Sequence, residues 1–258
     1  MTTLNDAVEV ASIAGHVQRA LAATVPDDVL VTLRAVGVST LVQNLQRHGF
    51  RGTFLTGVTP RNHRQRFAGR AVTLRCLPPR EDVVKALAGD RQRSLHRRVF
   101  STPGPGDVVV IDARGDRSAG VLGDVLATGL ALRGAEALVT DGSVRDLPAL
   151  QEVDLPIYAR GVHAATFGQA HVPFDVNIPV QCADVLILPG DILVGDDEGV
   201  VAIPQAIAAP IAAESAEQEV LDRFILTQLK AEVSLDVAFP PNEQLRAEFE
   251  RWRVAHGS

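Results

Sequence analysis

Residues 135–146 read "AEALVTDGSVRD". The apolar segment from Ala135 to Val139, closed by Asp141-Gly142, reads as a buried strand that delivers its end to a surface, because Asp-Gly is a strong turn signal. Arg145 and Asp146 follow at once. Charged residues at the end of such a strand are candidates for a site, although an adjacent Arg-Asp also reads as a loop ion pair with no further role. On either side lie more segments of the same kind. "RAVTLRC" from Arg70 alternates, "DVVVID" at 107–112 is an apolar run, and "LPIYAR", "ADVLILPGDILVG" and "GVVAIP" are each bounded by Gly, Pro or Asp. Strands therefore dominate the middle of the chain. Between them sit the short helical stretches "DVLATGLALRG", from Asp124 to a stop at Gly134, and "DLPALQEV" after Asp146.

The two ends differ from this middle. Residues 4 to about 48 read as helical in pieces: "PDDVLVTLRAVG" has Asp27 and Asp28 in a first turn and ends near Gly37, and Ser39 is placed to cap a second helix that stops at Gly49. After Pro210, "IAAESAEQEVLDRFILTQLKAEVSLD" reads as one long amphipathic helix with Val220, Phe224, Leu226 and Leu229 as its apolar stripe. "FPP" at 239–241 breaks it, and "NEQLRAEFERWR" reads as a charged final helix. The phrase Pro-Gly-Asp launches a strand twice, at Pro105 and at Pro189, which we read as shared turn chemistry and not as a duplication.

Composition excludes several classes of function. With 258 residues and 46% hydrophobic content the chain builds a real core. A net charge of −6, without long runs of Lys or Arg, argues against nucleic acid as a partner. The two cysteines, Cys76 and Cys182, sit in apolar contexts without metal spacing and read as buried free thiols. The first twenty residues carry acids and lack a continuous apolar core, and no apolar run is long enough to span a bilayer, so the expectation is a cytoplasmic protein without a membrane partner.

Chemistry-bearing residues precede Arg145. Gly120 and Gly123 form a G-x-x-G turn, and Asp124 opens the next helix. Glycines ahead of a helix let a ligand approach the backbone, and the free N–H groups of the first turn favour a carboxylate or phosphate. Alternatively, this is a tight turn with Asp124 as a cap. If the helix and strand return the chain to its starting point, Asp124, Arg145 and Asp146 converge. Two carboxylates suit a hydrated divalent cation, Mg²⁺ or Mn²⁺, and an Arg beside it forks onto a substrate carboxylate. Together they form a receptor for a 2-oxo acid, in which cation and Arg145 stabilise an enolate oxygen.

The pattern of Gly120, Gly123, Asp124, then Arg145 and Asp146 resembles the class II 4-hydroxy-4-methyl-2-oxoglutarate aldolases and the RraA-type regulators of ribonuclease E, and the similarity covers roughly residues 30–210. The resemblance implies an α/β sandwich of the swivelling, phosphohistidine-domain-like type, with one domain over residues 1–210 and a C-terminal helical extension over 211–258 that packs on a neighbouring subunit. It implies a trimer or a pair of trimers. Arg145 would bind the carboxylate and keto oxygen of pyruvate, Asp146 would hold the divalent metal largely through water, and Asp124 would order a proton-carrying water. The backbone from Gly120 through Val121, Leu122 and Gly123 would meet the substrate. A Glu from the C-terminal helix of an adjacent subunit would complete the site, with Glu214, Glu217 and Glu219 as candidates and the last two preferred.

The implied reaction is metal-dependent cleavage of 4-hydroxy-2-oxo acids to pyruvate, decarboxylation of oxaloacetate, or both. The alternatives are a protein-binding regulator of ribonuclease activity without catalysis, or another 2-oxo acid lyase or dehydratase. A long C-terminal helix favours the enzyme. His63, His96, His163 and His171 are scattered without an i, i+4 partner, so a histidine metal site is not expected. Arg160 and His163 read as loop residues or as the rim of a site. "DDEG" at 196–199 reads as a solvated turn, and "RQRSLHRRVF" at 91–100 as a solvated helix face or a subunit contact.

Overall fold

The computed structural model describes residues 24–62, 66–87 and 94–256. The expected helix content of residues 4–23 lies outside the described residues, as does His63. The first described helix, α1 (Asp27–Ala35), carries Asp27 and Asp28 in its first turn, where acids oppose the positive end of the helix dipole. The second, α2 (Val38–Arg47), begins one residue before Ser39 and has Gly37 at its cap. Ser39 is therefore not the cap. Carboxylates from distant elements do that work: Glu219 accepts the Gly37 N–H at 3.1 Å and Asp196 accepts the Val38 N–H at 2.9 Å.

Short β1 (Thr59–Pro60) and long β2 (Phe67–Leu77) follow, then α3 (Glu81–Leu87) and α4 (Leu95–Ser101). The centre alternates β3 (Asp107–Asp112), α5 (Asp124–Leu132), β4 (Ala137–Val144), α6 (Leu147–Leu150) and β5 (Ile157–Val162). Then come β6 (Val172–Val176), the hairpin of β7 (Val180–Cys182) and β8 (Val185–Ile187), and β9 (Ile192–Asp196) with β10 (Gly199–Ile203). The main sheet runs β1-β5-β4-β3-β2-β9-β10, with β6 also on β2. Strands β2 to β5 are mutually parallel, and the others pair antiparallel. The segment before β1 meets the far edge, where Leu55 N–H donates to Val200 O and Ala202 N–H to Thr53 O, both at 2.9 Å. The sheet is thus nearly closed. The protein is a mixed α/β fold.

Parallel strands buried on both faces need apolar residues throughout, and β4 has every residue buried. One face packs Leu74, Ile111 and Leu138 against Phe100 and Leu130 of α4 and α5. The other buries Phe67, Val110, Val139 and Tyr158 against the β7–β8 hairpin, and both cysteines are buried and free. The two Pro-Gly-Asp phrases build one turn. Gly106 and Gly190 have φ of 81° and 89°, and the Asp107 and Asp191 side chains accept the N–H groups of Gly104 and Leu188.

The C-terminal part begins with α7 (Ala208–Lys230), continues through α8 (Leu235–Ala238) and ends with α9 (Glu243–His256). The long helix stops at Lys230, well before "FPP", because the chain turns through Glu232 at a φ of 66°. Its first half packs Ile211 and Ala212 with α1, α2 and β9–β10, while Phe224 and Ile225 form a separate small core with Leu245 and Phe249 of α9. Leu226 is exposed and Ile225 takes its expected place in the stripe. Among the described residues no helix is long and apolar enough to cross a membrane.

Candidate active site

The Asp141-Gly142 pair does not end its strand. β4 continues to Val144, with the register against β5 shifting between Thr140 and Ser143. What permits this is a long-range fit: Asp141 is buried, its carboxylate accepting the N–H groups of Ala113 at 2.7 Å and Gly115 at 2.8 Å. Burial pushes the Asp141 carboxyl above its ordinary range, neighbouring Asp112 adds to the rise, and the N–H donors oppose it. The loop after β3 is thereby fastened to β4, so the strand delivers Arg145 and Asp146 two residues further out than the turn signal implies.

The same loop then runs beside the end of β4. Val121 N–H donates to Ser143 O at 2.8 Å, and Arg145 N–H to Leu122 O at 3.0 Å. A side chain cannot fit in this contact. A Cβ on Gly120 would lie 2.9 Å from Arg145 Cβ, and one on Gly123 would overlap Asp146 Oδ2. Arg145 Nε meets Asp146 Oδ2 at 3.1 Å, with both side chains about one-third exposed, and Asp146 has a left-handed φ of 59°.

The result is a cleft of about 320 Å³ at the carboxyl ends of the parallel strands, where ligands commonly bind in open α/β sheets. Gly120 to Asp124, Arg145 and Asp146 line it together. Convergence of Asp124 with the Arg-Asp pair, read from spacing, holds. Asp124 lies in the first turn of α5, with Gly123 at the cap, and its carboxylate accepts the Val125 N–H at 2.8 Å. Gly120 and Val121 spend their N–H groups on the carbonyls of Ala165 and Ser143, whereas those of Leu122, Gly123 and Asp124, at the start of the helix, have no partner among the described residues.

Two lining residues have no counterpart in the spacing argument. His96 Nε2 lies 2.9 Å from Val121 O, and its ring stacks on Phe167 with centroids 3.9 Å apart. Burial holds His96 below its ordinary pKa, and His171 nearby adds to that, so the ring is neutral near pH 7. His171 is itself buried and lowered by desolvation, with Nε2 3.4 Å from Ala119 O. The signal in sequence was only His96 within the basic stretch, of which residues 91–93 lie outside the described residues.

The C-terminal acids are elsewhere in this chain. Glu219 also accepts the Thr40 hydroxyl at 2.7 Å, Glu217 pairs with Arg253 at 3.1 Å and Glu214 with His48 at 2.8 Å. Arg160 donates to Thr56 O, and His163 Nδ1 accepts the Ala165 N–H. None of these lines the cleft. The "DDEG" turn is not simply solvated, because Asp196 is buried and caps α2.

For a divalent metal, the cleft offers the carboxylates of Asp124 and Asp146. Among the described residues no group of three or more His, Cys, Asp or Glu side chains closes around one point. That donor set does not fit a caged metal. It fits a cation that keeps most of its water and uses one or two acids, as Mg²⁺ does.

The RraA-like family pattern, described as Aldolase/RraA, matches residues 38–202, which includes every cleft residue. The chain belongs to the RraA-like family. A protein of Halalkalibacterium halodurans named "Putative 4-hydroxy-4-methyl-2-oxoglutarate aldolase" is 35% identical over 122 residues, 47% of this chain and 57% of that one. A protein of the same name from Ectopseudomonas mendocina is 31% identical over 57% of this chain and 82% of its own length. Among solved structures, Streptomyces coelicolor RraAS2, described as an unusual member of the RNase ES inhibitor RraA protein family, superposes with a TM-score of 0.72. It is 31% identical and covers 79% of this RraA-like chain and 98% of its own.

Proposed function

We propose that this chain is a divalent-metal-dependent lyase that cleaves 4-hydroxy-2-oxo acids to pyruvate by retro-aldol reaction, decarboxylates oxaloacetate, or does both. The observation that carries this reading is the single cleft that joins free N–H groups at a helix start, one arginine and two carboxylates. The names of the bacterial relatives agree with it. The N–H groups of Leu122, Gly123 and Asp124 receive the substrate carboxylate. Arg145 turns from Asp146 to the keto oxygen and stabilises the negative charge that gathers there when the bond beside the carbonyl breaks. In the retro-aldol reaction Asp124 orders the water that takes the 4-hydroxyl proton as the bond breaks, releasing the second oxo acid, and in both reactions this water gives a proton to the enolate carbon, so that pyruvate forms. Asp146 would hold a hydrated divalent metal largely through water, and that metal would supply Lewis-acid stabilisation of the developing negative charge.

The reading extends to architecture. We take residues 1–210, together with the first half of α7 that packs on them, as one domain of the phosphohistidine-domain-like type, and the rest of residues 211–258 as an extension that packs on a neighbouring copy in a cytoplasmic trimer or hexamer. Glu217 or Glu219 of that copy completes the cleft, which is consistent with neither reaching the cleft of its own chain.

The test is protein-dependent pyruvate release from oxaloacetate and from a 4-hydroxy-2-oxo diacid with Mg²⁺ or Mn²⁺, coupled to lactate dehydrogenase. Chelator should abolish it, and Arg145→Ala should lower it by about 10²-fold or more. A rate equal to that of metal alone overturns the proposal. The likeness to RraAS2 favours one second reading, a regulator that binds a ribonuclease. In that case inhibition of the nuclease is retained in Arg145→Ala while no 2-oxo acid is turned over.

A further inference from the structure

Two histidines meet backbone carbonyls of the substrate loop, His96 at Val121 and His171 at Ala119. In a trans peptide, the C=O of one residue and the N–H of the next point in opposite directions within one plane. Whatever fixes the Val121 carbonyl therefore aims the Leu122 N–H, one of the three free donors at the cleft. That carbonyl is met by His96 Nε2 at 2.9 Å. A carbonyl oxygen only accepts, so Nε2 carries the proton and the tautomer of His96 is set, with Nδ1 bearing the lone pair.

The neighbouring peptides are fixed in the same manner by other groups. Leu122 O accepts the Arg145 N–H at 3.0 Å, which aims the N–H of Gly123. Ala119 O faces His171 Nε2 at 3.4 Å, and the N–H of Gly120 points away to Ala165 O at 2.9 Å. Between the two histidines lies the Phe167 ring, 3.9 Å from His96 and 5.4 Å from His171 by centroids, while Phe100 meets His96 edge-on at 5.0 Å. His171 is 1% exposed and its Nδ1 has no partner. The stack thus holds His96 by packing, and His96 holds one peptide of the loop by a hydrogen bond.

We propose that His96 is a positioning residue for substrate carboxylate recognition, aiming the Leu122 N–H into the cleft through the Val121 carbonyl. The inference rests on the reading of this cleft as a 2-oxo acid site. It assigns His96 no proton transfer. A carboxylate contact is made equally in the ground state and the transition state, so its loss raises KM and leaves kcat nearly unchanged, whereas loss of Arg145 at the developing enolate lowers kcat.

Two substitutions separate the hydrogen bond from the packing. His96→Phe keeps an aromatic ring on Phe167 and removes the donor; His96→Gln places an amide N–H near the position of Nε2 and removes the ring. With pyruvate release as the assay, His96→Phe should raise KM about five- to tenfold with kcat within about twofold, the loss expected for one hydrogen bond. His96→Gln should recover most of that KM. Product inhibition by pyruvate should weaken in parallel in His96→Phe. A KM unchanged in His96→Phe while the wild type is active overturns the inference and leaves the lyase reading standing. Equal KM losses in both variants, with a lowered Tm in each, reduce His96 to a packing residue and overturn it as well. A wild type that neither turns over a 2-oxo acid nor binds pyruvate removes the lyase reading, and the inference with it.

Discussion

Two aspartates five residues apart in one stretch, Asp141 and Asp146, have opposite fates. Asp141 is 3% exposed and gives both oxygens to backbone N–H groups of the preceding loop. The Asp146 side chain is 36% exposed, sits in left-handed backbone and gives its carboxylate to a side chain that can leave it. The first fastens the loop after β3 to β4, and the second stands in the cleft this fastening creates. The contrast shows that a carboxylate surrounded by fixed donors is committed to the fold. One paired with a mobile guanidinium keeps its chemistry available.

Substitution should separate the two ends of the stretch. At the outer end, Arg145→Ala should lower kcat for pyruvate release about 10²- to 10³-fold, the range for removing one charge-stabilising donor from a reacting oxygen, with Tm shifted by no more than about 2 °C. At the inner end the expectation reverses. Asp141→Ala leaves the Ala113 and Gly115 N–H groups without acceptors and should cost about 2–4 kcal/mol in denaturant unfolding. If Arg145→Ala melts far below the wild type, or Asp141→Ala unfolds at the wild-type midpoint, the division between the two ends fails.

That division was only half legible in the sequence. Apolar runs announced β3 and β4, since a parallel strand covered on both sides leaves little polar alternation, whereas β2 was legible from the alternation of residues 70–76. The spacing from Gly120 to Asp146 announced the cleft, because one helix and one parallel strand return the chain to the same end of the sheet. The Asp-Gly pair misled because its turn signal is local, while donors that keep Asp141 inside come from residues 113 and 115, 28 and 26 positions upstream. Asp196 misled for the same reason, its partner being the start of α2. His96 escaped because its contact is to a backbone carbonyl, which no spacing of side chains encodes. Leu226 was wrongly placed in the α7 stripe for a different cause: Leu226 and Ile225 are adjacent apolar residues, and packing on α9 decides that Ile225 is the buried one.

The two Pro-Gly-Asp turns sharpen the comparison, because there the local structure is held constant. Asp107 and Asp191 each accept the N–H of the residue three positions earlier, at 3.0 and 2.8 Å. Asp191 is the more enclosed of the two, and burial pushes its carboxyl up to about 6. A folded-state value above the ordinary 3.8 means that the fold binds the proton more tightly than the unfolded chain does. The stabilisation from this group is therefore complete below about pH 4 and is lost as pH rises through about 6. Asp191→Asn keeps an acceptor for the Leu188 N–H and carries no charge to desolvate. It should match the wild type at pH 4 and exceed it by about 1–3 kcal/mol at pH 7.5, in urea unfolding at both values. Parallel stability curves for the two proteins across that window would mean that Asp191 is solvated well enough to ionise freely, and that turn geometry outweighs depth in fixing the behaviour of a carboxylate in this fold.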